Sequence, residues 1–113
     1  LVFTNGDYQP ANFLAQDGAL SGFVDFEYAG FEDPLYGWAK YVVYDLHPLN
    51  KAGTVDAYLQ QTGFGKQDFN LRLAIRCLWT LQKEIDPRVQ DGETVEYRAH
   101  VLNVLKKSLE GLE

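Results

Sequence analysis

The chain has 113 residues, of which 46% are hydrophobic, 14% aromatic and 23% charged, and its net charge is −6. This composition is typical of one ordinary globular domain and excludes a disordered or fibrous chain. The acidic balance and the scattering of the 10 Lys and Arg residues argue against a nucleic-acid partner, because binding a phosphate backbone needs clustered positive charge.

The chain has a single cysteine, Cys77, which excludes an internal disulfide framework and a cysteine-based zinc site. Its apolar neighbours predict an inert buried thiol. No run of 18 apolar residues occurs, so the sequence predicts no membrane partner and a cytoplasmic location.

An acid, an amide and a second acid follow one another near the start of the chain. Asp7 and Asn12 have the spacing Asp-x-x-x-x-Asn, and Asp25 follows within Val24-Asp25-Phe26. In phosphoryl transfer one carboxylate takes the proton of an attacking hydroxyl, while an amide oxygen and a second carboxylate hold Mg²⁺. The spacing is that of such a site. The alternative is a loop in which Asp and Asn cap the local backbone.

A β-hairpin is predicted over residues 13–24. Asp17-Gly18 separates two strand-like runs, and this dipeptide is a strong signal for a two-residue turn. With that turn, Gln16 faces Ala19 on the opposite strand.

The same register predicts where the second acid lies. Continuing from the turn, Phe13 faces Gly22 and Asn12 faces Phe23. Asp25 then lies diagonal to Asn12 at roughly 7–8 Å and projects from the same face, because side chains alternate along a strand. The amide and the second carboxylate are therefore predicted to meet at the open end of the hairpin.

Helical spacing of apolar residues begins at Asp33-Pro34, an N-cap followed by a favoured first helical residue, and is predicted to end at His47-Pro48. Further helices are predicted over residues 54–62, 68–85 and 93–109. The predicted fold class is α+β, mostly α, with a β-hairpin followed by about four helices.

Three blocks of this sequence resemble the aminoglycoside phosphotransferase family, which has a protein-kinase-like fold and includes choline-kinase-like enzymes. Together, at their spacing, the blocks are a specific signal, and they cover about the first third of the chain. They are Asn5-Gly6-Asp7-Tyr8-Gln9-Pro10-Ala11-Asn12, Val24-Asp25-Phe26-Glu27-Tyr28-Ala29-Gly30 and Asp33-Pro34-Leu35-Tyr36.

The resemblance implies a catalytic and a metal-binding role for three residues. Asp7 would be the catalytic base, and Asn12 and Asp25 would bind Mg²⁺ and, through it, the nucleotide. The implied cofactors are Mg²⁺ and ATP, with GTP as the alternative, and the implied acceptor is a hydroxyl of a small molecule.

Two positions depart from the family pattern. The family usually has His two residues before the catalytic Asp, where this chain has Asn5, and often has an Asp where this chain has Gly37. In kinase-like folds these positions brace the catalytic loop rather than perform the transfer. Asn5 can still donate a side-chain hydrogen bond in place of an imidazole.

The family's nucleotide-binding elements have no counterpart in this sequence. No Lys precedes Lys40, and no Gly-rich loop precedes the catalytic motif. We therefore expect residues 1–113 to be a single domain, the C-terminal lobe of a kinase-like phosphotransferase whose N-terminal lobe is absent. The parent protein is expected to be the enzyme and the isolated lobe to be inactive. Exposed apolar surface would favour self-association of the isolated lobe.

The alternative is a non-catalytic kinase-like interaction or scaffold module, which the residues at positions 5 and 37 favour. Glu27 and Glu32 are read as solvated loop acids. A set of seven aromatic residues is read as core and rim packing. These are Trp38, Tyr41, Tyr44, Tyr58, Phe64, Phe69 and Trp79.

Overall fold

A computed structural model describes residues 1–44 and 51–113 of the chain. The first third contains two antiparallel two-stranded sheets. Strand β1 (Val2–Thr4) pairs with β4 (Gly30–Glu32), and β2 (Phe13–Gln16) pairs with β3 (Ala19–Phe23). The pairing of β1 with β4 therefore brings together the two ends of the segment that carries the three candidate site residues.

The predicted hairpin turn is confirmed. Asp17 and Gly18 both have positive φ, 52° and 78°, as a two-residue turn that follows the twist of its strands requires. Gln16 pairs with Ala19.

Beyond the turn, the predicted register is wrong by one residue. Phe13 pairs with Phe23, not with Gly22, because β3 contains one more residue than β2 between two successive pairs. Asn12 consequently lies beside Val24 rather than Phe23, and the Val24 N–H donates to the Asn12 carbonyl oxygen at 2.9 Å.

The helices follow the hairpin. They are α1 (Pro34–Val42), α2 (Thr54–Thr62), α3 (Lys66–Thr80), which continues into a π-helical turn over Leu81–Ile85, and α4 (Gly92–Glu110). The predicted α+β, mostly helical fold class is confirmed, and the last three predicted helices lie within two residues of their observed bounds.

The predicted end of the first helix is wrong. Helix α1 ends at Val42, and Val43 caps it, although apolar spacing alone favours a longer helix. The predicted terminator, His47-Pro48, lies outside the described residues.

The N-terminus of α1 depends on one carboxylate. Asp33 Oδ1 accepts hydrogen bonds from the backbone N–H groups of Leu35 at 2.9 Å and Tyr36 at 3.4 Å. Its Oδ2 accepts from Arg72 Nε of α3 at 2.9 Å. Asp33 therefore caps α1 and joins it to α3.

The core lies between α1, α3 and α4. Ala39 and Val43 of α1, Cys77 of α3 and Val101 of α4 are completely buried. The predicted burial of the Cys77 thiol is confirmed, and burial raises its pKa to about 11. Within the described ranges, no helix is long and apolar enough to cross a membrane.

Replacement of Asp33 tests how α1 is fixed. Asp33→Ala should lower the free energy of unfolding by about 1–2 kcal/mol, because two backbone N–H groups lose their cap. Asp33→Asn retains the cap oxygen and loses the charged acceptor that faces Arg72 Nε, so it should cost less. Denaturant unfolding of both variants measures the difference, and equal losses would contradict the capping role.

The Asp33 contribution should also depend on pH. Burial alone would raise the pKa of this carboxyl, but the hydrogen bonds from Arg72 and from Leu35 and Tyr36 lower it below its ordinary value of 3.8. The contribution is therefore present above that value and is lost as the pH falls through the folded-state pKa. Asp33→Asn should remove this part of the acid sensitivity, as measured by unfolding at a series of pH values.

Candidate functional site

The loop that follows β1 is held by bonds to its own backbone and to β4. The buried Thr4 hydroxyl accepts from the Gly6 N–H at 3.0 Å and donates to Glu32 at 2.7 Å. Gly6 has φ 79°, and a Cβ there would lie 2.1 Å from the carbonyl oxygen of Tyr28. Only glycine allows this approach.

Asn5 fixes the peptide groups on both sides of Asp7. Its Nδ2 donates to the Asp7 carbonyl oxygen at 3.0 Å, and its Oδ1 accepts from the Asp7 N–H at 3.3 Å. The amide therefore makes the side-chain hydrogen bond that was expected of it in place of a histidine.

The Asp7 carboxylate accepts three hydrogen bonds. Oδ1 accepts from the Tyr41 hydroxyl at 2.7 Å, and Oδ2 accepts from Asn12 Nδ2 at 3.1 Å and Gln9 Nε2 at 3.0 Å. An ionised carboxylate has about four lone-pair positions. Hydrogen bonds from the described residues use three of them, which leaves one for the hydroxyl of a bound molecule.

Asn12 lies at the end of a 3₁₀ turn, Pro10–Asn12, and is 8% exposed. Because its Nδ2 donates to Asp7, its Oδ1 is the atom left to coordinate a cation. An amide oxygen is a ligand that Mg²⁺ accepts.

Asp25 is exposed and has φ 63°. Aspartate tolerates this left-handed conformation better than most residues, and here it turns the chain out of the strand direction immediately after Val24. The Val24–Asn12 backbone hydrogen bond brings the two segments together. Convergence of the Asn12 and Asp25 side chains remains a prediction, because the register from which it was argued is shifted.

Within residues 1–44 and 51–113, no group of three or more His, Cys, Asp and Glu side chains could hold a metal ion. An all-protein cage is not what Mg²⁺ requires. It commonly uses one or two protein ligands together with substrate phosphates and water. An amide such as that of Asn12 and a carboxylate such as that of Asp25 are ligand types of this kind.

Tyr41 is the site residue that sequence reasoning missed. It was placed among packing aromatics, yet its hydroxyl donates to Asp7 and accepts from the Tyr8 N–H. Its helical position predicts an inward-facing ring. The direction of the hydroxyl depends on the path of the loop that contains Asp7 and Tyr8. These residues lie 34 and 33 positions before Tyr41 in the sequence.

Glu32 is not the solvated loop acid that the sequence predicts. It is partly buried, accepts from Thr4, and lies 3.8 Å from Lys40 Nζ. Glu27 is exposed as predicted.

The space beside Gly37 is filled by Tyr8. A Cβ on Gly37 would lie 2.9 Å from Tyr8 Cε2 and 3.3 Å from Glu32 Oε1. The Tyr8 ring packs against Trp38 and Tyr41, with centroids 5.1 and 5.8 Å away. Burial raises the pKa of the Tyr8 phenol. At Gly37, where the family often has an Asp, the Tyr8 ring therefore occupies the space that a larger side chain would need.

A cleft of about 1100 Å³ opens beside Asp7. It is bounded by the loop, α1, α3, the π-helical turn and α4, and its lining is rich in aromatic and acidic side chains. Among these are Asp7, Tyr41, Tyr44, Trp79, Glu84, Glu93, Glu96 and Tyr97.

One buried cation lies in the cleft wall and is already neutralised. Arg76 is 8% exposed, its Nη2 lies 3.1 Å from Glu84 Oε1, and its guanidinium lies 4.2 Å from the Trp79 ring centroid. Glu93 and Glu96 take part in none of the ion pairs found among the described residues. The cleft lining thus contains four acids, Asp7, Glu84, Glu93 and Glu96, and two cations, Lys40 and Arg76, so its net charge is negative.

The geometry can be compared with known proteins. A family model described as "Phosphotransferase enzyme family" matches residues 1–72, which run from β1 into α3 and include all three candidate residues. The chain belongs to this family. No curated protein and no solved structure gives a significant match.

Membership of the phosphotransferase family confirms the resemblance found in the sequence. The matched segment contains the Asp7 loop, the hairpin and α1, whereas the Glu-rich side of the cleft, on α4, lies beyond it. The segment that this chain shares with the family is thus the part that positions Asp7.

Substitution of Gly37 tests the packing against Tyr8. Alanine has the higher helix propensity by about 1 kcal/mol, but here Gly37→Ala should destabilise the protein by about 1–3 kcal/mol because the ring must move. Tyr8→Leu in the same chain should relieve much of the loss. Thermal or denaturant unfolding measures both effects.

Gly92→Ala is the matched control, since it also lies in a helix but a Cβ there meets nothing within 4 Å. It should be neutral or slightly stabilising. Similar behaviour of the two glycine variants would contradict the steric account.

Proposed function

We propose that this chain is the C-terminal catalytic lobe of an ATP- and Mg²⁺-dependent kinase that phosphorylates a hydroxyl of a small molecule. The observation that carries the proposal is the Asp7 carboxylate, held by Asn12 and Tyr41 at the edge of a large cleft with one acceptor position left. That position suits an acceptor hydroxyl, whose proton Asp7 would take as the hydroxyl oxygen bonds to the terminal phosphorus and the nucleoside diphosphate leaves.

Asn12 and Asp25 have the second role in this proposal. Their oxygens would hold Mg²⁺, which neutralises charge on the phosphates when bound. Phosphoryl transfer needs little covalent help from the protein, so these residues contribute positioning and electrostatic stabilisation. The hydrogen bond from Asn12 to Asp7 would then keep the base and the cation site at a fixed separation.

The nucleotide-binding elements of the enzyme would belong to an N-terminal lobe. An exposed aromatic pair supports a docking surface for such a lobe, since Phe3 and Phe31 are 61% and 75% exposed with ring centroids 5.7 Å apart. Contiguous exposed apolar surface commonly marks an interaction site. In the isolated chain the same surface would promote self-association, and phosphate transfer by that chain would be negligible.

The charge of the cleft supports an acceptor that carries a cationic group. Glu93 and Glu96 add negative charge and form no ion pair with the described residues. Tyr44, Trp79 and Tyr97 supply aromatic surface. Aromatic faces and carboxylates together attract an ammonium group. Asp7 lies on the same cleft, so a hydroxyl on such a molecule could reach it.

Replacement of Asp7 and of Asp25 tests the proposed chemistry in the complete encoded polypeptide. Asp7→Ala should lower kcat by at least about 100-fold, since it removes the base, while Mg²⁺-nucleotide binding is retained. Asp25→Ala should weaken Mg²⁺-nucleotide binding itself. Phosphate transfer and nucleotide titration distinguish the two effects.

Asp17→Asn is the matched control. Asp17 lies in the turn between β2 and β3. Asn-Gly supports the same two-residue turn, so activity should be unchanged. Full activity in both Asp7→Ala and Asp25→Ala would overturn the proposal. So would an encoded upstream sequence without a Gly-containing hairpin, a strand Lys and a helical Glu.

The acceptor preference has its own test. Combined Glu93→Gln and Glu96→Gln should raise KM for an amine-bearing acceptor by about 10-fold, with less effect on kcat, because the loss is in ground-state attraction. Glu110→Gln, exposed on the same helix and outside the cleft, is the control. An unchanged KM would reject the cationic acceptor but not the kinase.

A further inference from the structure

We infer that Tyr41 is a positioning residue for phosphate transfer, acting through Asp7. This inference rests on the proposed function and adds to it a residue from α1. Tyr41 would hold the Asp7 carboxylate in one orientation and hold the following peptide group in place.

Two hydrogen bonds join the Tyr41 hydroxyl to other described residues, and their direction is fixed. A backbone N–H can only donate, so the bond from the Tyr8 N–H makes the Tyr41 oxygen an acceptor. The hydroxyl proton is then directed to Asp7 Oδ1, 2.7 Å away. A single oxygen thus contacts both the catalytic carboxylate and the peptide group that follows it.

The hydroxyl remains a donor over the pH range of ordinary assays. Burial, followed by the hydrogen bond to Asp7, raises the pKa of the Tyr41 phenol well above its usual value. Ionisation would place two negative oxygens in contact, which is unfavourable at a site that is 5% exposed. The hydrogen bond from Tyr41 to Asp7 is therefore retained over the pH range of ordinary assays.

The three donors together define the orientation of Asp7. Asn12 and Gln9 hold Oδ2, but Gln9 is exposed and comes from the same short loop. Tyr41 alone holds Oδ1 among the hydrogen bonds found for this carboxylate in the described residues. Without it, the side chain could rotate, and small misplacements of a reacting group are costly in rate.

Tyr41 is suited to this task because its helix is rigidly placed. Ala39 and Val43, two residues on either side, are completely buried. The helix start is held by Asp33, which is itself bonded to Arg72 of α3. Gly37, one turn before Tyr41, lacks the carboxylate that is often found there, so Tyr41 supplies the contact from this helix to the loop.

The test is Tyr41→Phe in the complete encoded polypeptide, with rates normalised to the folded fraction measured by circular dichroism. Phe retains the ring that packs against Tyr8 and loses the hydroxyl. We expect kcat to fall by about 10–100-fold, the range for loss of a hydrogen bond to a charged group, with KM for the nucleotide changed less than about twofold.

Two further variants separate positioning from general loosening. Tyr36→Phe removes a hydroxyl from the same helix and should leave activity unchanged. In the Asp7→Ala background, Tyr41→Phe should cause no additional loss of the residual rate, because the two residues act as one unit. Incorporation of 3-fluorotyrosine at position 41, which retains the hydroxyl, should restore most of the activity lost with Phe.

The outcomes distinguish this inference from the function on which it rests. If the wild-type enzyme transfers phosphate and depends on Asp7, but Tyr41→Phe is fully active, the inference alone is overturned. An equal loss from Tyr41→Phe with and without Asp7 also overturns it, since the effect would then be structural. If wild type and Asp7→Ala transfer equally, the proposed function fails and the inference fails with it.

Discussion

The arrangement of the site depends on the Asp33 carboxylate. One of its oxygens caps the first turn of α1, and the other meets the Arg72 guanidinium of α3. The bond fixes the start of α1 against the core, and everything that α1 presents to the loop is positioned from there. Tyr41 and Gly37 lie on that helix, so the geometry around Asp7 is set by a contact outside the cleft.

The elements that could be predicted from the sequence are those with local chemical causes. Asp17-Gly18 makes a turn because both residues accept positive φ, and Asp33-Pro34 begins a helix because one caps and the other has a suitable φ. The bulge in β3 has no such signal. It shifted the register by one residue, and with it the argument that placed Asn12 opposite Phe23.

The same distinction between local and long-range causes applies to the residues of the candidate site. Asp7 and Asn12 are close in sequence, so spacing was enough to associate them, and the structure joins them by a hydrogen bond of 3.1 Å. Tyr41 could not be found in this way, because its hydroxyl meets a loop 34 residues earlier in the chain. Asn5 was read as a weakness of the motif, yet it binds both peptide groups of Asp7. Part of the case for a non-catalytic module is thereby removed.

The close fit of Tyr8 against Gly37 restricts how this sequence can evolve. An aspartate at position 37 would bring a Cβ within 2.9 Å of the Tyr8 ring, so that substitution requires the ring to shift while the tyrosine is present. We therefore expect the two positions to be epistatic: a larger residue at position 37 should cost less stability when residue 8 is smaller. Relatives should therefore pair glycine at 37 with a large ring at 8, and an acid at 37 with a smaller residue.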